Sequence, residues 1–248
     1  MQFTKMEGLG NDFVIVDGSV NVTIDLVRQV TDRRRGVGGD GLLQVKLEGG
    51  LVHMDYWNAD GSAAEICGNG LRCVARYAFD RGLVDTSTFS VVTPVGKRWV
   101  TASDEPRVEL GRVAIRDTFE FEGLTFQRVG VGNPHAVTFV PELSTAPVAE
   151  LGPELEKRTP GGTNVEFVRV VSRDEIEMRV WERGIGETMA CGSGMVAAAA
   201  AAHHLGFTGS EVTVGVPGGD GCVELDGATS WLIGPVSYAF SGDTAEVG

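Results

Sequence analysis

The sequence predicts an α+β fold of two pseudo-symmetric domains, each a β-rich, barrel-like sheet wrapped around one central α-helix. The first observation is a repeat: Cys67 and Cys191 lie 124 positions apart, half of the 248 residues. Because the chain has only four tryptophans and four cysteines, a joint match of both types indicates duplication. The matched pairs are Gly38 with Gly162, Met54 with Met178, Trp57 with Trp181, Cys67 with Cys191, Gly68 with Gly192, Gly70 with Gly194, Gly82 with Gly206 and, at the nearby offset of 122, Asn11 with Asn133.

The second observation is that each half carries strand patterns on both sides of its cysteine. These stretches are rich in Val, Ile, Leu and aromatic residues and are bounded by Gly and polar residues, which is typical of strands. Before the cysteines they are Leu42 to Leu47, Leu51 to Trp57, Val165 to Val171 and Glu175 to Trp181, and after them Phe89 to Ala102 and Glu211 to Trp231.

The third observation is one helix pattern directly after each cysteine. In the first half an apolar stripe at helical spacing runs from Leu71 to Phe79, and Gly82 follows as a stop. In the second half Met195 to Leu205 is nearly all alanine, and a helix that is apolar all round is a buried one. Asp25 to Arg34 and Val148 to Lys157 predict two further helices.

The division between the halves is expected in the polar stretch before Phe119. We therefore predict an N-terminal half-domain over residues 1–116 and a C-terminal half-domain over residues 117–248.

Composition narrows the function classes. Twenty-one Lys and Arg against 34 Asp and Glu give a net charge of −13, which repels phosphate backbones and anionic lipid, so we expect no nucleic-acid or membrane partner. No stretch reaches the roughly 20 apolar residues of a membrane span, and Met1 to Gly10 lacks the apolar core of a signal peptide. We expect a cytoplasmic protein whose cysteines are thiols.

The two repeated cysteines begin the segments CGNG, from Cys67, and CGSG, from Cys191. Glycines at a helix start leave the first-turn amides uncovered, and those amides together with the helix dipole favour a carboxylate. The same field lowers the pKa of a cysteine and makes a thiolate available. Each segment therefore predicts an anion site with a reactive thiol beside it. Cys73 and Cys222 lack this symmetric placement and are expected to be bystanders.

A pair of such thiols suits one reaction class. Inverting a carbon centre by deprotonation needs a base on one face and an acid on the other, and the two exchange roles in the reverse direction. Amides aimed at the substrate carboxylate stabilise the carbanion-like transition state. We therefore expect no metal and no other cofactor.

Several longer motifs carry a family resemblance. They are Gly10-Asn11-Asp12-Phe13, Asn58-Ala59-Asp60-Gly61-Ser62, Gly132-Asn133-Pro134-His135, Glu182-Arg183-Gly184 and the two cysteine segments. In this order they closely resemble the diaminopimelate epimerase family, from Met1 almost to the C-terminus. The resemblance implies a cofactor-independent isomerase that interconverts LL- and meso-diaminopimelate for lysine and peptidoglycan synthesis, with the two cysteines as its acid/base pair. We expect this amino acid as ligand and a homodimer as the assembly.

The resemblance also implies the roles of further residues. The carboxylate of the inverted centre would bind the amides of Gly68, Asn69, Gly192 and Ser193. The distal amino-acid end would be held by Asn58, Asn164, Glu182 and Arg183, with Asn11 and Asn133 completing the lining and His135 behind them. The last strand, Val236 to Phe240, would return to the N-terminal half.

Two alternative functions remain open at this point. The first is a cofactor-free racemase of the same architecture that acts on another amino acid, such as histidine or hydroxyproline; a substrate panel separates it. The second is a non-catalytic ligand-binding or redox-sensing protein whose paired thiols form a disulfide; such a protein would show no turnover in either redox state.

Overall fold

The chain forms two compact units. The computed structural model describes residues 1–64 and 66–244. The first unit comprises Met1–Val108 together with the chain from Gly234 onward, and the second comprises Glu109–Ile233. Arg116, the expected last residue of the first half, therefore lies in the second unit.

The first unit combines two helices with strands from both ends of the chain. Its elements are β1 (Gln2–Gly8), β2 (Asn11–Asp17), α1 (Ile24–Thr31), β3 (Gly41–Glu48), β4 (Leu51–Asn58), α2 (Gly68–Asp80), β5 (Thr88–Thr93), β6 (Gly96–Thr101), β7 (Arg107–Gly111), in which the division falls, and, last in the chain, β17 (Ser237–Asp243).

The second unit repeats this order of elements. It contains β8 (Ala114–Phe121), β9 (Leu124–Gly130), β10 (Pro134–Phe139), a short 3₁₀ helix (Leu143–Thr145), α3 (Val148–Arg158), β11 (Asn164–Val170), β12 (Glu175–Glu182), β13 (Gly186–Thr188), α4 (Gly192–His204), β14 (Glu211–Val216), β15 (Gly219–Leu225) and β16 (Ser230–Ile233).

Strand pairing confirms the duplication. In the first unit β2 pairs parallel with β3, β3 antiparallel with β4, β4 parallel with β5, and β5 antiparallel with β6. In the second unit β10, β11, β12, β14 and β15 repeat this sequence of pairings. Each parallel pair is joined by a helix, as parallel strands require a crossover. The last strand, β17, pairs antiparallel with β1.

The two cysteine helices occupy the interior of their units. Val74, Ala75 and Ala78 of α2 are fully buried, and α4 is buried along its whole run from Met195 to Ala202. α4 contacts strands on several sides, from β8 and β9 to β15 and β16. The all-alanine sequence therefore forms the predicted buried central helix, since alanine allows strands to approach it on every side.

The other two helices cover the opposite faces of the sheets. Val27 and Val30 of α1 pack on Val14, Val16 and Leu42. In the second unit Val148 and Leu155 of α3 join a cluster on β9, β10 and β11 that includes Phe126, Val165 and Phe167. In each unit, apolar strands thus lie buried between the central helix and a covering helix.

Three predicted boundaries differ from the structure. α1 ends at Thr31 rather than Arg34, because the Asp32 carboxylate accepts the backbone N–H groups of Arg34 and Arg35 and turns the chain. α3 ends at Arg158, one residue after the predicted Lys157, whereas α4 begins directly after Cys191, as predicted. The polar stretch around Arg116 is strand β8, whose side chains alternate between partly buried and exposed over much of its length. No helix in the described ranges is both long and apolar enough to cross a membrane.

Candidate active site

The first cysteine lies at the start of a buried helix. Cys67 is the N-cap of α2, with extended backbone at φ −134° and ψ 113°, and its Sγ accepts the N–H of Gly70 at 3.4 Å. The side chain thus satisfies one of the unpaired amides that every helix start leaves open. The first helical residues, Gly68 and Asn69, are buried. This is the helix-start geometry that the CGNG segment predicts.

Two asparagines lie against this cysteine. The Cys67 Sγ is 3.7 Å from Asn11 Oδ1, and the Nδ2 of Asn69 donates to the same oxygen at 3.3 Å. Asn11 follows Gly10, whose φ of +79° belongs to the left-handed turn between β1 and β2. The predicted residues Asn11, Cys67, Gly68 and Asn69 are therefore brought together by one turn and one helix start.

Charged groups fix the strand that carries Asn11. The Nδ2 of Asn11 donates to the carboxylate of Asp40 at 2.7 Å. The neighbouring Asp12 forms a bidentate pair with Arg33, at 2.7 and 2.9 Å. Lys5, nearly buried, lies 2.6 Å from Asp12. Burial raises the pKa of Asp12, but the hydrogen bonds from Arg33 and Lys5 outweigh it and hold this pKa well below the usual range.

Asn58 is held within its own turn. At the end of β4 its Nδ2 donates to Ser62 Oγ at 3.0 Å, and its backbone N–H donates to the Ser62 carbonyl at 2.9 Å. Asparagine side chains commonly stabilise turns through such local hydrogen bonds. Asn58 thus has its own local partners rather than a hydrogen bond to the group around Cys67, and its substrate role stays a prediction.

The second cysteine repeats the helix-start geometry in a more buried setting. Cys191 is the N-cap of α4, at φ −120° and ψ 111°, and it is only 6% exposed. Its Sγ lies 3.6 Å from the Oγ of Ser193. Gly192 and Gly194 are buried beside it. The CGSG segment therefore also places a thiol at an uncovered helix start.

A hydrogen-bonded group of side chains lies behind Cys191. The Nδ2 of Asn133 donates to Ser193 Oγ at 3.3 Å, and Asn133 Oδ1 lies 2.8 Å from His135 Nε2. His135 Nδ1 lies 2.6 Å from Glu166 Oε1. Asn133 follows Gly132, which has φ +78°, so a left-handed glycine again precedes the asparagine.

Asn164 is hydrogen-bonded to the segments that carry Pro134 and Arg183. Its Nδ2 donates to the Pro134 carbonyl at 2.9 Å, and its Oδ1 accepts the backbone N–H of Arg183 at 3.0 Å. The Arg183 guanidinium is exposed, bonded to the Gly161 carbonyl at 3.2 Å, and lines an open pocket of about 550 Å³. The substrate role of Arg183 stays a prediction. Glu182 accepts from the hydroxyl of Thr188.

Electrostatics at Cys191 differ from the expectation for a bare helix start. Burial raises the pKa of its thiol well above the usual value, and the carboxylates of Glu182 and Glu166 raise it further. Hydrogen bonds from Ser193 and the Gly194 amide oppose this only in part. Burial likewise raises the pKa of Glu182 and of Glu166. The helix field alone predicted a lowered pKa, and for Cys191 that prediction is wrong.

Glu166 was missed by sequence reasoning. It lies in the middle of β11, between Val165 and Phe167, and is 0% exposed. The available signal was a single charge inside an apolar strand, since a fully buried carboxylate is rare unless it is paired. Arg72, also 0% exposed and bonded to Asn69 Oδ1 at 2.9 Å, is a second missed residue.

The fold and the two cysteines define a class: duplicated α+β proteins that carry a thiol and uncovered amides at the central helix start of each half. The family model described as "Diaminopimelate epimerase" matches residues 3–115 and 128–239. The chain belongs to the diaminopimelate epimerase family.

Individual relatives agree with this assignment. The chain is 40% identical to the diaminopimelate epimerase of Pelotomaculum thermopropionicum, with 98% of each chain covered. It is 38% identical to that of Moorella thermoacetica, covering 98% of this chain and 99% of the relative. Among solved structures, a Bacillus anthracis phenazine biosynthesis protein of the PhzF family has a TM-score of 0.79 at 14% identity, with 99% of both chains covered. This last likeness concerns the fold alone.

Proposed function

We propose that the protein is a diaminopimelate epimerase, an isomerase that interconverts LL- and meso-diaminopimelate without a cofactor. The reaction would serve lysine biosynthesis and peptidoglycan precursor supply in the cytoplasm. One observation carries the proposal: in a member of this family, Cys67 and Cys191 each cap a central helix beside its first-turn amides.

The proposed chemistry uses the two sulfurs on opposite faces of one α-carbon. One thiolate removes the α-proton and becomes a thiol, while the other thiol delivers its proton to the opposite face and becomes a thiolate. The reverse reaction exchanges the two roles. The α-proton is only weakly acidic, so the charge that develops needs stabilisation by amides already aimed at the carboxylate. The amides of Gly68, Asn69, Gly192 and Ser193 are assigned this task.

The distal end of the substrate is assigned to Asn58, Asn164, Glu182 and Arg183. A guanidinium binds a carboxylate bidentately and a carboxylate accepts from an ammonium, so these residue types match an amino-acid group. The exposed guanidinium of Arg183 supports this assignment. Asn11 and Asn133 would complete the polar lining. Recognition of the distal centre would reject substrates that leave these groups unpaired.

We further propose that the protein acts as a homodimer. Strand β17 exposes Tyr238 and Phe240, at 43% and 52%, and exposed aromatic side chains are enriched in protein interfaces. Light scattering on the purified protein should give twice the chain mass of 26.3 kDa. A monomer mass at micromolar concentration contradicts this part of the proposal without affecting the chemistry.

The test of the function is proton exchange without added cofactor. The purified protein in heavy water should incorporate one deuterium at an α-carbon of LL-diaminopimelate and form the meso isomer. L-Histidine and trans-4-hydroxy-L-proline are the matched controls, because they lack the second amino-acid centre. Exchange of a control amino acid but not of diaminopimelate would show that the substrate is wrong, and no exchange at all would refute an epimerase.

A further inference from the structure

The second unit contains a buried acid that the proposed chemistry does not use. Glu166 has no exposed surface, and the Oε2 of its carboxyl group has no hydrogen-bond partner among the described residues. Burying a polar group without a partner costs free energy. A residue retained at such a cost is a candidate for a role in the neighbouring site.

Its other oxygen begins a continuous chain of contacts to the cysteine. Glu166 Oε1 lies 2.6 Å from His135 Nδ1, and His135 Nε2 lies 2.8 Å from Asn133 Oδ1. Asn133 Nδ2 donates to Ser193 Oγ at 3.3 Å, and Ser193 Oγ is 3.6 Å from the Cys191 Sγ. We propose that Glu166 is a positioning residue, which orients the Ser193 hydroxyl toward Cys191 through His135 and Asn133. The inference deepens the proposed function and rests on Cys191 being one of its two reacting thiols.

The donors and acceptors along this chain fix where its protons lie. Asn133 Oδ1 can only accept, so the His135 Nε2 that faces it must carry a proton. Asn133 Nδ2 then points at Ser193 and donates to its oxygen. The Ser193 hydroxyl proton is therefore left for the sulfur of Cys191, where it stabilises the thiolate form.

The other tautomer of His135 shows how Glu166 controls the direction of the Ser193 hydroxyl. If His135 carried its only proton on Nδ1, its Nε2 would accept, and Asn133 would turn its amide around. Asn133 Oδ1 would then take the Ser193 hydroxyl proton away from Cys191. With an ionised Glu166, that arrangement leaves a net negative charge in the interior.

Burial selects between the two arrangements. A net charge is costly in a dry interior, whereas Glu166 and His135 that hold two protons between them are neutral as a pair. A proton on Glu166 Oε2 would have no acceptor among the described residues, so one of the two protons lies between Oε1 and Nδ1 and the other on Nε2. Burial raises the pKa of Glu166, while His135 opposes the rise. The other titratable groups that face the pair are Glu182 from β12 and Cys191 from α4. Both become negative on ionisation, so both favour retention of the second proton.

The helix start is shaped to admit this carboxyl group. A Cβ at Gly194 would lie 2.9 Å from Glu166 Oε1, closer than real contacts allow. The second glycine of CGSG therefore makes room for Glu166. In the first half the same place is occupied by Leu43, whose Cδ2 would lie 3.2 Å from a Cβ at Gly70. The carboxyl group thus belongs to the Cys191 half alone.

The first experiment observes the histidine directly. The chain has four histidines, and ¹⁵N spectra of histidine-labelled protein with a His135→Gln reference identify the ring in question. Nε2 of His135 should be protonated throughout the pH range in which the protein is folded. In Glu166→Gln both arrangements are uncharged, so a mixture of the two tautomers is expected. An unprotonated Nε2 in the wild type overturns the proposal.

The second experiment measures the consequence at the sulfur. In Glu166→Gln, alkylation of Cys191 by iodoacetamide should slow at least about twofold, because the mixture of the two arrangements withdraws the Ser193 hydroxyl from part of the molecules. The net charge beside Cys191 does not change, since Glu166 and His135 are neutral as a pair in the wild type. Cys67, followed in the same digest by mass spectrometry, should react at its wild-type rate. For epimerisation kcat should fall by a similar factor, with KM changed less than about twofold because the helix-start amides remain.

Two further variants separate positioning from folding. Ser193→Ala should reproduce the Cys191 effect, and Glu166→Gln combined with Ser193→Ala should be no slower than Ser193→Ala alone, since both remove one interaction. Phe167→Leu, on the opposite face of β11, should lower the melting temperature yet leave Cys191 alkylation unchanged. If alkylation of the double variant were slowed by the product of the two single effects, the proposal would be overturned. Equal slowing of Cys67 and Cys191 in Glu166→Gln would overturn it as well. Alkylation needs no substrate, so this result stands apart from whether diaminopimelate is the substrate.

Discussion

The two cysteine sites have the same backbone but different buried ionisable groups. Cys67 and Cys191 both cap a central helix with extended backbone, within repeated strand pairings. Near Cys67 the buried ionisable group is the guanidinium of Arg72, whereas near Cys191 it is the carboxyl group of Glu166, which is paired with His135. A leucine, Leu43, stands where the second half has this acid.

The difference shows which features duplication preserved. The helix start, its glycines and its cysteine are repeated, as the proposed carboxylate site in each half requires. The surrounding charges diverged, so the two thiols can differ in their readiness to ionise. A reaction with one thiolate and one thiol gains from such a difference, since identical environments would favour neither starting state.

The largest expected effect comes from removing either thiol. Cys67→Ala or Cys191→Ala should each lower kcat by about 10³-fold or more, the upper range for loss of a general acid or base. Cys73→Ala, inside α2, is the matched control and should keep its turnover. Deuterium exchange at the α-carbon measures all three. If either repeated cysteine could be replaced with near-normal turnover, the two halves would not be partners in catalysis.

The second prediction concerns the contacts that anchor the segments carrying Asn11 and Asn133. Asp12 in the first half is anchored by Lys5 and Arg33, while the second half ties Pro134 to Asn164 with a neutral hydrogen bond. Asp12→Asn leaves the buried Lys5 without its anion and should reduce the free energy of unfolding by about 2–3 kcal/mol at pH 7. Urea unfolding measures this, with Asp25→Asn on the exposed start of α1 as control.

The pH dependence of this anchor has a definite sign. The pKa of Asp12 is lowered from 3.8 in the folded protein, so the ion pairs stabilise the fold above that pH and are lost as the pH falls below it. The difference between wild type and Asp12→Asn should therefore shrink below about pH 4. An undiminished difference at pH 3 would contradict an electrostatic anchor.

The third prediction ranks the two sulfurs. A Cys67 thiolate is attracted by the Arg72 cation, whereas burial and the nearby Glu182 carboxylate raise the pKa of Cys191. Iodoacetamide at pH 7.5 should label Cys67 at least about tenfold faster than Cys191, the ratio for one pKa unit. Arg72→Met should slow Cys67 alone, and Arg72→Lys, which keeps the charge, should slow it less. Faster labelling of Cys191 would reverse the comparison.

Sequence alone predicted the features that repeat and missed those that differ. The duplication, the central helices and the cysteine caps follow from matched residues and apolar spacing. Glu166 was missed because its partner His135 lies 31 residues away in the chain. Arg72 was missed because an arginine beside the apolar stripe of a helix is ordinarily exposed. The strand at Arg116 was taken for a boundary because its side chains are mostly polar, as an exposed sheet face allows.

The most direct test of the account asks which isomer gains deuterium first. LL-diaminopimelate is mixed with the protein in heavy water, and both isomer pools are analysed by mass spectrometry before equilibrium. Two sulfurs on opposite faces predict a meso product that carries one deuterium while the remaining LL substrate carries none. A meso product that retains the original proton would mean that one group serves both faces, and would contradict the paired role of Cys67 and Cys191.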